Sequence, residues 1–217
     1  MDKRVHGARW TVGFTGASGA IYGVRLCQAL LDAGVSLHLV VTEAGWRVLK
    51  EELGWEVSRR QAALEKHFGE ALRSGAMTFH LNADIGASIA SGSFRISGMV
   101  VVPCSMGTLS SIANGTSNNL LTRAADVTLK EGRPLVLVPR ETPLHAIHLE
   151  NMLKLARLGV RLIPAMPAFY YRPQSMDEMV DFMVGKVLDN MGLDHDLYRR
   201  WGDEQDEQRG SGENRQN

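Results

Sequence analysis

The sequence predicts an α/β fold of the Rossmann-like type, in which a doubly wound parallel sheet of about six strands forms a single domain. Short runs rich in Val and Leu, such as LHLVV and MVVVP, alternate with longer amphipathic segments. Continuous apolar strands separated by helices are typical of parallel sheets whose two faces are both covered by helices. A length of 217 residues, with 44% hydrophobic and 22% charged residues, suits one such domain.

The first half of the chain contains two strand-and-helix units. Residues 10–15 are an apolar run that ends in a glycine-rich turn, and the next segment repeats apolar residues at helical spacing until Gly34 ends it. A second buried strand is expected at 37–41, followed at 44–53 by a helix that Gly54 ends. The remaining elements predicted in this half are a helix at 57–72 and a short strand at 78–81.

The second half begins with a loop rich in Gly, Ser and Ala at residues 82–97, for which at most one helical turn is expected. A strong strand follows at 99–103, and 134–139 has the same buried character. Residues 202–217 hold no aliphatic or aromatic side chain, so we expect a disordered polar tail behind a domain that spans 1–201. The other elements predicted here are a strand at 160–163 and helices at 105–113, 119–130, 144–158 and 175–191.

Composition and charge narrow the possible functions. Lys plus Arg and Asp plus Glu both number 24, and the resulting net charge of zero disfavours nucleic acid or an anionic membrane as a partner. No apolar run reaches the length of a membrane span, and the N-terminus lacks the apolar region of a secretory signal. Two cysteines, Cys27 and Cys104, suit a reduced cytoplasmic protein, and the 7 histidines are too scattered to predict a metal site.

The turn TGASG at residues 15–19 is the first candidate for ligand binding. Its short side chains let a ligand approach the backbone, and the helix behind it offers N–H groups to an anion. The spacing matches neither the dinucleotide pattern nor the Walker pattern, and Thr42 stands where a ribose-binding acidic residue would follow the second strand. These features favour a mononucleotide over NAD. The alternative is a tight turn that binds nothing.

A second hydroxyl-rich turn, PCSMGT at residues 103–108, follows the strand at 99–103. In Rossmann order the first and fourth strands are neighbours, so both turns flank the switch point where such folds bind ligands. Ser105 also fits a simple helix N-cap, and nothing in the sequence pairs Cys104 with a histidine as a nucleophile. Arg140 and Glu141 directly follow a later strand at the same edge of the sheet. Ordinary surface ion pairing explains a pair of charged residues poorly at the end of a buried strand.

Long motifs in the chain resemble the UbiX/Pad family of flavin prenyltransferases from about residue 10 to residue 201. The matching segments are TGASGAIYGVRL, ASGSF, VVPCSMGTLSSIANG, NLLTRAADVTLKEGRPLVLVPRETPLHAIHLENM and PAFYYRPQS. The resemblance implies a dodecameric, metal-independent flavoprotein that joins the dimethylallyl group of dimethylallyl monophosphate to reduced FMN. The expected product is prenylated FMN, with bonds to N5 and C6, which serves a UbiD-type decarboxylase.

The resemblance also implies roles for individual residues. The FMN contacts fall on Gly16, Ala17, Ser18, Thr42, Ser105, Met106, Gly107, Thr108 and Arg140. The prenyl-phosphate contacts fall on Arg123, Lys130, Arg140, Tyr170, Lys186 and Trp201, the last of which closes over the site. The residues implied in the chemistry are Ser18, Glu52, Lys130 and Glu141. From the residues alone, Arg123 and Lys130 fit helix-end and surface pairing equally well.

Three positions depart from the family pattern. Lys186 replaces a common arginine and loses its bidentate fork, Ile85 stands where some members have tryptophan, and Gly107 stands where a lysine occurs. Two alternatives stay open: a related flavin-dependent cysteine decarboxylase, and a non-catalytic flavin-binding subunit of an aromatic-acid decarboxylase. The decarboxylase motif would place Asn in the turn that here reads PCSMGT.

Overall fold

A computed structural model describes residues 7–200 and contains one six-stranded parallel sheet. The strand order is β3-β2-β1-β4-β5-β6, which is the doubly wound order expected from the sequence. The predicted tail and Trp201 lie outside the described residues. The strands are β1 (Arg9–Phe14), β2 (Ser36–Val41), β3 (Met77–Leu81), β4 (Gly98–Cys104), β5 (Leu135–Pro139) and β6 (Arg161–Leu162).

Seven α-helices connect or follow the strands in the described part of the chain. The predicted helix at 57–72 differs most, because its start is a 3-10 turn (Val57–Arg59) and Phe68 leaves helical geometry at φ −134. The Phe68 side chain is buried and the flexible Gly69 follows it, which allows the kink. The helices are α1 (Ala20–Asp32), α2 (Glu43–Leu53), α3 (Arg60–Ser74), α4 (Met106–Ala113), α5 (Leu120–Lys130), α6 (Ala146–Arg157) and α7 (Met176–Met191).

Alternate residues of each strand pack into two separate cores, one on each face of the sheet. On β4, Val100 and Val102 pack with α1, α2, α3 and α7, whereas Met99 and Val101 pack with α4, α5 and α6. Each such side chain contributes about 1.5–3 kcal/mol when fully buried. The sheet therefore separates α5 from α7, which matters for the residues that those helices carry.

The crevice expected at the switch point lies between β1 and β4. The chain leaves β1 toward α1 and β2, and leaves β4 toward α4, α5 and β5, so the two connections diverge at the carboxyl ends of the strands. No helix within residues 7–200 has both the length and the apolar character needed to cross a membrane.

Candidate functional site

Thr15 ties the two ligand-binding turns together. Its hydroxyl donates to the carbonyl oxygen of Pro103 at 2.7 Å and accepts the N–H of Ser105 at 2.8 Å. The side chain is only 1% exposed, so neither bond is exchanged with water. Thr15 belongs to the first ligand-binding turn, but its bridging role was not predicted from the sequence. The available signal was a threonine directly after a predicted central strand.

The first turn, residues 15–19, exposes its backbone to the crevice because neither Gly16 nor Gly19 can be replaced by a residue with a side chain without strain or a clash. A Cβ on Gly16 would lie 2.5 Å from the Cβ of Ala44, and Gly19 has φ +103. Between them the Ser18 side chain is exposed, while Ala17 is buried. The glycines thus fix the backbone that presents the Ser18 hydroxyl at the carboxyl edge of the sheet.

Glu52 reaches from α2 to the start of α1. Its carboxylate accepts the N–H of Gly19 at 2.9 Å and the N–H of Ala20 at 2.9 Å, so it caps a helix that has no side-chain cap of its own. A negative charge is favourable there because the helix N-terminus is positive. Glu52 therefore lies beside the Ser18 turn, and it already occupies two N–H groups that would otherwise face an anion.

The start of α4 keeps N–H groups that no side chain of the described residues occupies, whereas Glu52 accepts the N–H groups at the start of α1. The Ser105 hydroxyl accepts the N–H of Thr108 at 3.3 Å and donates to its Oγ1 at 3.0 Å, so Ser105 is the predicted N-cap. The first-turn N–H groups of Met106 and Gly107 have no acceptor within the helix. A Cβ on Gly107 would meet nothing within 4 Å, so there is room beside them. This turn can bind a phosphate group.

Further side chains lie at the carboxyl edge of the sheet, around the crevice. Thr42 caps α2 through the N–H of Gly45 at 3.0 Å, and its own N–H donates to Phe14. Tyr22 on α1 lies within range of two opposite charges, those of Arg140 and Glu52. Burial raises the pKa of Tyr22, the positive charge of Arg140 lowers it, and the negative charge of Glu52 raises it further. The crevice therefore has a cationic side at Arg140 and an anionic side at Glu52.

A cavity of about 290 Å³ adjoins the start of α4. Its walls are mainly apolar, with Arg140, Glu141 and Thr142 at the polar end, as expected for a site that holds a flat ring next to a charged group. Two larger cavities of about 530 Å³ each lie among α1, α3 and α7, and no residue of the two turns lines them. The other residues that line the smaller cavity are Met106, Pro139, Leu144, Met152, Pro164, Ala165 and Met166.

Arg123 and Lys130 do not reach this crevice within one chain. Arg123 donates to the carbonyl oxygen of Ala90 and pairs with Asp126 at 2.9 Å, while Lys130 pairs with Glu131. Helix α5 starts at the carboxyl edge and runs back to the amino edge, so Lys130 lies about 16 Å from the strand ends. Each of these two cations is therefore paired with an acidic residue close to it in the chain, on the face of the sheet that α5 covers.

Tyr170 and Lys186 lie on the other face of the sheet. Tyr170 packs its ring against Tyr171 and Phe182, with centroids 5.7 and 6.1 Å away. Burial raises the pKa of Tyr171, with smaller contributions from Glu178, Tyr170 and Tyr22, so this aromatic group adjoins α1 near the crevice. The Lys186 ammonium lies 3.8 Å from the carboxylate of Asp189.

The structure also describes Cys104, Ile85 and the side chains that could ligate a metal. Cys104 is fully buried, and burial raises the pKa of its thiol to about 12, which makes it a poor nucleophile. Among residues 7–200 no three His, Cys, Asp or Glu side chains are grouped as metal ligands. Ile85 is 63% exposed in the loop after β3, so in a single chain it covers nothing.

Comparison with known proteins agrees with this architecture. The flavoprotein family model matches residues 2–188. The flavin prenyltransferase UbiX of Halalkalibacterium halodurans is 55% identical over 197 residues, which cover 91% of this chain and 95% of that protein.

Two solved structures have the same fold. AnUbiX (PadA1), in complex with FMN and dimethylallyl pyrophosphate, superposes with a TM-score of 0.81 at 40% identity, covering 91% of this chain and 98% of that one. The dodecameric FMN-dependent UbiX-like decarboxylase of Escherichia coli O157:H7 gives a TM-score of 0.80 at 46% identity, covering 89% and 98%. The fold, the crevice and these similarities together show that the chain belongs to the UbiX family of flavin prenyltransferases.

Proposed function

We propose that the protein joins the dimethylallyl group of dimethylallyl monophosphate to N5 and C6 of reduced FMN, and that a UbiD-type decarboxylase takes up the prenylated FMN. The observation that carries the proposal is the crevice itself. It combines an open helix start at α4, a polar turn with Ser18, and the cation Arg140 beside a mainly apolar cavity. Balanced charge and two buried free cysteines suit a cytoplasmic enzyme.

The crevice fits FMN as a prenyl acceptor. The N–H groups at Met106 and Gly107 suit the phosphate of the mononucleotide, because the start of α1 is already capped by Glu52. Ser18 then lies on the opposite turn, where it would face the flavin ring. Thr15 keeps the two turns at a fixed separation through its hydrogen bonds to Pro103 and Ser105.

The leaving phosphate requires positive charge and hydrogen-bond donors in a site that excludes water. Arg140 would supply them from the cavity beside α4, and Tyr170 and Lys186 from the face of the sheet that α1 and α7 cover. The aromatic rings of Tyr170 and Tyr171 suit the allylic group, because a cation-like carbon is attracted to the face of an aromatic ring. No metal ion is needed for these roles.

We also propose a homododecamer in which a neighbouring copy supplies Arg123 and Lys130 to the crevice. These two residues point away from the crevice of their own chain, and the similar E. coli O157:H7 protein is dodecameric. Helix α6 supports this proposal, because Leu155 is its only buried residue while several large apolar side chains are exposed. The exposed side chains are Ile147, Leu149 and Leu153, with Leu158 just after the helix.

Supplying the reaction mixture to a metal-loaded UbiD-type decarboxylase that lacks its cofactor tests the whole proposal. We expect decarboxylation to begin only when this protein, reduced FMN and dimethylallyl monophosphate are all present. Because the similar E. coli O157:H7 protein is described as a decarboxylase, a second sample contains only the present protein and an aromatic acid, without the UbiD-type enzyme. Release of CO₂ in that sample would favour the decarboxylase alternative, and no activity in either sample would favour a flavin-binding subunit.

Ser18→Ala is expected to slow turnover more than it weakens FMN binding. The substitution removes one exposed hydroxyl and no buried volume, so the free energy of unfolding should change by less than about 0.5 kcal/mol. The initial rate of product formation and the Kd of FMN are measured on the same preparation. An unchanged rate would show that the Ser18 hydroxyl takes no part in the reaction.

Lys186→Ala is expected to raise the KM for dimethylallyl monophosphate about ten- to a hundredfold, because a charge-assisted hydrogen bond to phosphate contributes roughly 1.5–3 kcal/mol. Lys186→Arg should keep or improve the KM, since arginine offers a bidentate contact. FMN affinity, measured by fluorescence titration, should stay the same in both variants. An equal loss of FMN affinity in Lys186→Ala would mean that Lys186 binds the flavin phosphate instead.

A further inference from the structure

Asp189, near the end of α7, is surrounded by hydrogen-bond donors and positive charge. Its carboxylate accepts the Tyr198 hydroxyl at 2.6 Å, the Arg200 guanidinium at 2.8 Å and the His195 ring at 3.1 Å. The Lys186 ammonium, one turn earlier on the same helix, lies 3.8 Å away. Burial works against the charged carboxylate, but hydrogen bonds from Arg200 and Tyr198 hold the pKa of Asp189 at about 2.

The donors from the segment after α7 fix the position of this carboxylate. Tyr198 packs its ring on Phe182 at 4.9 Å, and a Cβ on Gly185 would lie 2.5 Å from the Tyr198 ring, so the segment rests tightly against the helix. The three shorter contacts leave Lys186 as the most loosely held partner. Its ammonium is thus oriented by a fixed charge while its N–H groups stay available to another acceptor.

We propose that Asp189 is the positioning residue of the substrate-phosphate subsite, and that it acts through Lys186. Lysine loses considerable rotamer freedom when it binds a phosphate, and a nearby fixed anion restricts that freedom beforehand. The segment carrying His195, Tyr198 and Arg200 would then set the affinity for the prenyl donor without touching it. This inference rests on the proposed function, in which Lys186 binds dimethylallyl monophosphate.

A double-mutant cycle tests the inference with the full chain, reduced FMN and dimethylallyl monophosphate. We expect Asp189→Asn to raise the KM for the prenyl donor about five- to tenfold, with kcat and the Kd of FMN changed less than twofold. In a Lys186→Ala background the same substitution should change the KM less than twofold. Asp181→Asn is the matched control, because Asp181 is also on α7 and forms an ion pair with Arg25 at 2.6 Å, and its KM should match the parent.

Tyr198→Phe gives a second, milder variant in case Asp189→Asn folds poorly. It keeps the ring against Phe182 and removes only the hydroxyl that fixes Asp189, so the KM should rise about twofold and only when Lys186 is present. A lower KM in Asp189→Asn would show that Asp189 competes with the phosphate for Lys186, which overturns the inference. Effects that multiply with Lys186→Ala would overturn it as well.

Failure of the proposed function would look different. If Lys186→Ala leaves the KM for dimethylallyl monophosphate unchanged, the phosphate subsite itself is wrongly assigned, and the role of Asp189 is refuted with it. If Lys186→Ala raises the KM and neither Asp189→Asn nor Tyr198→Phe does, the proposed function stands and only the inference about Asp189 is refuted.

Discussion

Glu52→Gln is expected to slow turnover at least about a hundredfold while FMN still binds. Forming the second bond, to C6 of the flavin, releases a proton, and we propose that the Glu52 carboxylate accepts it. A positioned general base contributes typically 10²–10⁴-fold to such a step. Glutamine keeps the size of the side chain and one oxygen to accept the N–H of Gly19 or Ala20, so the start of α1 should stay folded.

The absorbance spectrum of the flavin, followed after mixing, separates this role from simple helix capping. We expect rapid formation of the N5 bond followed by slow closure of the new ring. Glu51→Gln is the matched control, because Glu51 is the exposed neighbour on α2 and makes no hydrogen bond within the described residues. Normal turnover in Glu52→Gln together with a slow Glu51→Gln would place the base one residue earlier.

Thr15→Val is expected to lower the free energy of unfolding by about 2–4 kcal/mol and to weaken FMN binding. Valine has nearly the same shape, so no cavity forms. The buried carbonyl of Pro103 is left without a donor, at roughly 1–3 kcal/mol, and the half-buried N–H of Ser105 is left without an acceptor, at a smaller cost of about 1 kcal/mol. Because these groups hold the two turns together, the crevice should also lose its fixed width.

Thr11→Val is the control for this prediction. Thr11 is on β1, the strand that Thr15 directly follows, and is equally buried, but its hydroxyl has no hydrogen-bond partner in the described structure. Removing an unsatisfied buried hydroxyl should leave stability unchanged or increase it. Urea unfolding and FMN titration of both variants provide the comparison. Equal stability loss in the two variants would contradict the role assigned to Thr15.

The sheet could be predicted from the sequence because its strands are short, continuous apolar runs. The doubly wound order then placed Ser18, Ser105 and Arg140 at one edge, and the structure has these residues at that edge. The helix at 57–72 could not be delimited, because its apolar spacing gives no sign of the kink at Phe68. Periodicity reports which face is buried and not where the backbone leaves helical geometry.

The contacts that organise the site were harder to predict than its residues. Nothing in the sequence shows that Thr15 bridges to Pro103 and Ser105, since the three residues meet only after the sheet has formed. The direction of α5, which carries Lys130 away from the crevice, depends on the same assembly. The role of Glu52 in the reaction stays a prediction that Glu52→Gln tests. The role of Lys130 stays a prediction that depends on the proposed homododecamer.

The mass of the flavin after anaerobic incubation with dimethylallyl monophosphate tests the central claim most directly. The parent protein, reduced FMN and the prenyl donor are mixed, the protein is denatured, and the released flavin is analysed by mass spectrometry. We predict a flavin that is heavier by one dimethylallyl unit, formed in the absence of added metal and missing when the prenyl donor is left out. FMN of unchanged mass, recovered from protein that binds FMN normally, would contradict the claim.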